Sequence, residues 1–64
     1  MCEADAYIRK KGETDYVLLL GSVDKVIPVE TGIMLESVFG EQKMLRAKIN
    51  EMSLVDHQIL LEQL

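Results

Sequence analysis

The chain has 64 residues, 48% of them hydrophobic, and its seven basic and eleven acidic residues give a net charge of −4 at pH 7. A chain of this length predicts one domain, residues 1–64, near the lower size limit for folding without a partner. The charge argues against nucleic acid as a partner, because such binding rests on neutralising phosphates with Lys and Arg.

The sequence offers few of the cross-links that stabilise very small domains. Cys2 is the only cysteine and His57 the only histidine, so the chain has neither an internal disulfide nor the Cys/His array of a structural zinc site. Small domains without staples often complete their core by oligomerising. With nearly half of the chain hydrophobic, we expect a homodimer.

Several classes of protein are disfavoured by what the sequence lacks. No apolar run approaches the ~20 residues of a membrane span, and the N-terminus has no signal-peptide pattern. We therefore expect a cytoplasmic protein without a membrane anchor, whose compartment keeps Cys2 reduced. We do not expect an enzyme, because one His and one Cys supply no nucleophile–base–orienter set, and no Gly-rich phosphate loop is present.

The N-terminal segment predicts a strand. Cys2, Ala4, Ala6 and Ile8 alternate with polar residues, which is the pattern of a half-buried strand with these four on its inner face. A turn follows at 11–13. The cluster Arg9-Lys10-Lys11 is expected to belong to a solvated loop.

Further strands are predicted up to residue 41. Residues 16–20 are apolar throughout and fit either a buried strand or one helical turn. The next segment, 23–30, contains Pro28, which cannot donate to a sheet ladder, so this strand should be bulged or at an edge there. Turns at 31–32 and 39–41 enclose an alternating strand over 33–38.

The last third of the chain, 41–64, fits two structures. It lacks Gly and Pro and is rich in helix-forming residues, and its apolar residues keep a helical interval of three or four. The same segment also alternates at Leu45, Ala47 and Ile49, with a turn available at 56–57. The pattern alone slightly favours a helix. Met34, Met44 and Met52 are expected to fill gaps in the core.

The opening Met1-Cys2-Glu3-Ala4 resembles the N-terminal signature of the CooT family, very small cytoplasmic proteins associated with maturation of the nickel enzyme carbon monoxide dehydrogenase. Weaker similarity covers 23–26, 38–43 and 54–62. The resemblance implies a homodimeric, all-β SH3-like or Sm-like small barrel of about five to six strands, and favours strands over 41–64. The alternative is an α+β domain with a C-terminal helix. The resemblance also implies that Ni(II) binds through Cys2.

The chemistry of the first two residues fits such a role. A thiolate selects transition metals, and a tetragonal N/S set suits Ni(II) or Cu(II). The Met1 α-amine, the Cys2 amide nitrogen and the Cys2 sulfur can close two chelate rings on one ion. One N-terminus supplies only these three atoms, so we expect one Ni(II) per dimer, although Zn, Cu and Co are also compatible. Glu3 and Ala4 are candidates for contacts around the ligands, and His57 is a less favoured ligand.

The sequence therefore predicts a nickel-binding accessory protein, or metallochaperone, with nickel-enzyme maturation proteins or carbon monoxide dehydrogenase as partners. Two alternatives stay open. One is an Sm-like RNA-binding module, against which both the charge and the small number of aromatic residues argue. The other is a protein-interaction module that carries no metal.

Overall fold

The computed structural model describes residues 3–64, which form six β-strands and no helix. Their bounds are β1 Ala4–Arg9, β2 Val17–Val29, β3 Gly32–Ser37, β4 Gln42–Leu45, β5 Ala47–Ser53 and β6 Gln58–Gln63. The all-β prediction is confirmed. No described residue belongs to a helix that is long and apolar enough to cross a membrane.

The strands form one sheet in the order β4-β3-β2-β1-β6-β5. β1 and β6 run parallel, whereas every other neighbouring pair is antiparallel. The two edge strands, β4 and β5, follow each other in the chain with only Arg46, a bend, between them. Within residues 3–64 these two strands are not paired with each other. The predicted barrel is therefore not closed by hydrogen bonds, and its two edges are joined only through the chain at Arg46.

The long strand β2 is shared between two halves of the sheet. Its first part, up to Val23, pairs with β1, and its second part, from Val23 to Val29, pairs with β3. The register shifts near Val23, and Ser22 has a positive φ of 56°. Bulges of this kind bend and twist a strand. Pro28 lies where β2 has no β1 partner, which confirms the expected edge position.

The core lies on the inner face of the curled sheet. Ala6, in the predicted inner row of β1, is fully buried, as are Leu35 and Leu61. The remaining buried apolar residues are Leu20, Val23, Ile33, Ala47 and Ile59. Every strand except the short β4 contributes to this set. None of the three expected core methionines is in it: Met34 is half-buried, Met44 is 66% exposed and Met52 is 50% exposed. That part of the prediction is wrong.

The last third is strands, as the family resemblance implied and helix propensity did not. β6 is paired on both sides, with β1 through Ala6↔Ile59 and with β5 through Met52↔Ile59. Ile59 and Leu61 are buried, with partly exposed residues on either side. A period of two places both in the core only if the segment is extended, and this packing outweighs the intrinsic preference for helix.

Candidate site around the start of the first strand

The site is built where β1 begins beside the turn that joins β5 to β6. The amide of Asp5 donates to the carbonyl oxygen of His57 at 2.9 Å, and the Nδ1 atom of His57 lies 3.3 Å from the carbonyl oxygen of Glu3. His57 has a positive φ of 55°, a conformation that β-branched residues avoid. His57 therefore holds the β5–β6 turn against the start of β1 by contacting both Glu3 and Asp5.

The turn is also held from within. The Ser53 hydroxyl oxygen accepts from the amide of Asp56 at 3.2 Å, and the Ser53 hydroxyl lies 3.3 Å from an oxygen of the Asp56 carboxylate. Side-chain bonds of this type are typical of Ser and Asp in tight turns. They fix the direction from which His57 approaches β1.

The contact between His57 and Glu3 constrains the chemistry of the imidazole. A carbonyl oxygen only accepts hydrogen bonds, so this contact is a hydrogen bond in the forms of the ring that carry a proton on Nδ1. Ligating histidines often donate their other ring nitrogen to a backbone carbonyl in this way. His57, the less favoured ligand in the sequence analysis, thus contacts the backbone of Glu3, the residue that follows Cys2 in the sequence.

The predicted ligands Met1 and Cys2 lie outside the described residues. Of the candidates for contacts around them, Glu3 is exposed and Ala4 is half-buried at the inner face of β1. Residues 3–64 contain no group of three or more His, Asp or Glu side chains able to hold a metal ion.

An apolar groove borders the same place. A groove of about 500 Å³ is lined by Glu3 and His57 together with apolar residues of β1, β2, β5 and β6. Its apolar lining is Ala4, Val23, Val26, Met52, Leu54 and Ile59. Sequence reasoning missed this groove, since its residues come from four separate stretches of the chain, within 3–4, 23–26, 52–54 and 57–59.

A second polar cluster, at the far end of β1, contains Arg9, so the prediction of a solvated loop at 9–11 is wrong for Arg9 and right for Lys10 and Lys11, which are exposed beyond the strand. Arg9 is the last residue of β1; its Nη2 donates to Glu62 at 2.7 Å, and its guanidinium lies 5.2 Å from the centre of the Tyr16 ring. The Asn50 amide donates to Glu62 at 3.0 Å and to the Tyr16 hydroxyl at 3.2 Å. Hydrogen bonds from Asn50 and then Arg9 lower the pKa of Glu62. This cluster ties β5, β6 and the end of the β1–β2 loop together.

These features define a small all-β protein. Its candidate site is the start of β1, with the groove lined by Glu3 and His57. The chain belongs to the CooT family, described as CO dehydrogenase accessory proteins, because the sequence model of that family matches residues 1–62.

A solved structure gives the same answer. The chain is 48% identical to a CooT candidate from Carboxydothermus hydrogenoformans whose crystal structure is known; the match covers 98% of both chains with a TM-score of 0.88. No curated protein gives a significant match. The family to which the sequence was similar at its N-terminus is thereby confirmed over nearly the whole chain, and an accessory role in carbon monoxide dehydrogenase maturation follows from it.

Proposed function

We propose that this chain is a nickel-binding accessory protein that holds Ni(II) through the Met1 amine and the Cys2 thiolate of two copies, and releases it for carbon monoxide dehydrogenase maturation. Nickel is cargo here. The observation that carries the proposal is the family match, which begins at residue 1 and so includes the Met1-Cys2 pair. The family description names an accessory protein of CO dehydrogenase, and Cys2 is the only thiol in the chain.

Elimination among the described residues supports the same two ligands. Carboxylates and His57 do not gather into a metal site within residues 3–64, whereas an amine, an amide nitrogen and a thiolate stand side by side at the N-terminus. Both the α-amine, with an ordinary pKa of about 8, and the thiol, at about 8.5, must lose protons to bind. Nickel affinity is therefore expected to rise between neutral and mildly alkaline pH.

The test is a titration of reduced, metal-free protein with Ni(II), followed by absorption and calorimetry. Wild type should develop a thiolate-to-nickel charge-transfer band that saturates at one metal per two chains. Cys2→Ser should lose the band and weaken binding by at least about a hundredfold, the size of effect expected on losing a charged, covalent-like ligand. Binding by Cys2→Ser as tight as that of wild type would show that the site is elsewhere.

His57→Ala serves as the matched control, because it removes the one other nitrogen ligand near the site without touching Met1 or Cys2. We expect nickel affinity within about threefold of wild type, which corresponds to less than ~0.7 kcal/mol. An equal loss of binding in His57→Ala and Cys2→Ser would instead make His57 a ligand.

A further inference from the structure

An apolar row crosses three strands on the outer face of the sheet, away from the core. Met34 of β3 lies directly opposite Ile27 of β2 and Met44 of β4 in the strand register. Residues opposite each other have their side chains on the same face and within contact range. The chain neighbours of Met34, Ile33 and Leu35, are buried, so the row faces outwards. Ile27 is 38% and Met44 66% exposed.

This outer row ends at a regular free edge of the sheet. β4 is an end strand, so one of its two sides has no strand partner within residues 3–64. The N–H and C=O groups on such a side are a template for a further strand, and a bulge is one device that blunts them. The other edge, β5, has a register shift between Ile49 and Glu51. β4 pairs with β3 from Gln42 to Leu45 without a shift.

The charge along this edge is opposite in sign to that of the whole chain. Residues 42–50 contain three basic residues, Lys43, Arg46 and Lys48, and no acidic residue, whereas the chain has a net charge of −4. Neither ion pair found within residues 3–64 includes Lys43 or Arg46. Their positive charge is therefore available to a molecule that approaches β4.

We propose that β4 receives an extended segment of a different protein, in which apolar residues alternate with Asp or Glu, as an added strand. In strand addition the backbone hydrogen bonds supply affinity and the alternate side chains supply specificity. Lys43 and Met44 are consecutive in β4, so they face opposite sides of the sheet. An alternating segment matches both, with its apolar side chains beside Met44 and its carboxylates beside Lys43.

Methionine is suited to the apolar half of this contact. Its unbranched, polarizable side chain fills irregular gaps and is common on surfaces that adapt to several partners. Met34 and Met44 are adjacent in the row, and Ile27 extends it to β2. Exposed apolar residues are ordinary when single, whereas a contiguous set marks an interaction site. The row therefore gives the added strand an apolar surface beyond the edge itself.

The charges favour a different protein over a second copy as the occupant. Joining the β4 edge of one copy to the β4 or β5 edge of another would place Lys43 near a second Lys43 or near Lys48, and like charges across a strand pair are destabilising. β3 and β2 also separate β4 from β1 in the sheet. The docking site is thus remote from the predicted nickel ligands, and the inference holds with or without nickel.

The experiment titrates the full-length, isotope-labelled protein in EDTA with a short, end-blocked peptide in which Val and Glu alternate. Amide NMR spectra should show shifts confined to β4 and the outer row, and slower hydrogen exchange on the free side of β4. A peptide in which Val and Lys alternate, and a backbone N-methylated form of the Val–Glu peptide, should each bind at least about tenfold more weakly. Added salt should weaken binding of the Val–Glu peptide.

Two methionine variants provide the matched comparison on the protein. Met44→Ser should raise the dissociation constant of the Val–Glu peptide at least about tenfold, whereas Met52→Ser should change it by less than about twofold. Met52 is also exposed, at 50%, but lies on the other edge strand. Circular dichroism checks that both variants fold. Lys43→Gln should reduce the preference for the Val–Glu over the Val–Lys peptide.

Several results would overturn the inference. They are failure of the Val–Glu peptide to bind, equal binding of the Val–Lys or N-methylated peptide, shifts that map to β5 or to the groove, and equal losses in the two methionine variants. Sedimentation equilibrium without peptide adds one more, since a change of oligomeric state in Met44→Ser would assign the edge to a second copy. Tighter binding of oligouridylate at the same β4 amides would assign it to nucleic acid.

Discussion

Gly32 is the position at which a single added methyl group should cost this fold most. It begins β3 and faces the place where β4 passes into β5. A Cβ built on Gly32 would lie 1.9 Å from the carbonyl oxygen of Leu45, 2.9 Å from the carbonyl carbon of Leu45 and 3.0 Å from the Cα of Arg46. All three atoms are backbone, so no rotamer change relieves the contact.

The magnitude follows from that distance. Normal contact requires roughly 3.4 Å, so the strands must separate by more than 1 Å, which is large for a close-packed core. Overpacking a core costs about 1–3 kcal/mol when side chains can adjust, and we expect about 3 kcal/mol or more here. Since a domain of this size has a stability of about 3–10 kcal/mol, Gly32→Ala should remove a large share of it and lower Tm by roughly 12–24 °C.

The assay is urea unfolding followed by far-ultraviolet circular dichroism at one fixed protein concentration, because association would make stability concentration-dependent. Gly21→Ala and Gly12→Ala are matched controls. At Gly21 the added Cβ lies 3.4 Å from a side-chain oxygen of Asp5, and at Gly12 nothing lies within 4 Å but φ is +84°. We expect less than about 1 kcal/mol for Gly21 and about 1–2 kcal/mol of backbone strain for Gly12. A Gly32→Ala variant within about 0.5 kcal/mol of wild type would refute the reasoning.

Three other outcomes are expected. Leu61→Ala should cost about 2–5 kcal/mol in urea unfolding, because Leu61 is fully buried, whereas Leu64→Ala, at a 62% exposed position, should stay within about 0.5 kcal/mol; equal effects would show that the core is misplaced. Because the bonds from Asn50 and Arg9 lower the pKa of Glu62 below its ordinary 4.5, the folded state favours the carboxylate. That stabilisation is complete above the ordinary pKa and is lost as the pH falls through the lowered one. Glu62→Gln should therefore be less stable than wild type at neutral pH and approach it in acid, and a difference that is the same at every pH would contradict this. Asn50→Ala should raise the pKa of Glu62 towards its ordinary value, measured by carboxyl NMR titration, and an unchanged pKa would remove Asn50 as a cause.

The sequence predicted most of the strands before the last third because their patterns are local. The alternation of Ala4, Ala6 and Ile8 reflects a strand with one buried face, and the turn at 11–13 has Gly12 at a positive φ of 84°. Pro28 lacks an amide proton and cannot donate to a sheet ladder, which predicted that β2 is unpaired on one side at this residue. In each case a few neighbouring residues contain the physical reason, so no knowledge of the rest of the fold is needed.

The last third and the candidate site were decided by contacts between distant segments. Helix propensity over 41–64 is a small free energy per residue, and the burial of Ile59 and Leu61 between β1 and β5 outweighs it. Likewise Met44 and Met52 were expected in the core but are 66% and 50% exposed, on the edge strands β4 and β5. The family resemblance, and not the pattern, predicted these strands.

What the sequence by itself determined is that the chain has one thiol, at Cys2, and that nearly half of its residues are hydrophobic; the metal site at Met1 and Cys2 stays a prediction. Only the tertiary structure brought the His57 carbonyl and ring against the start of β1 and left Leu54 and Val55 projecting beside an apolar groove. The reason is physical. Residues that are covalent neighbours can be identified from the sequence, whereas a groove and a projecting turn exist only after segments far apart in sequence have packed together.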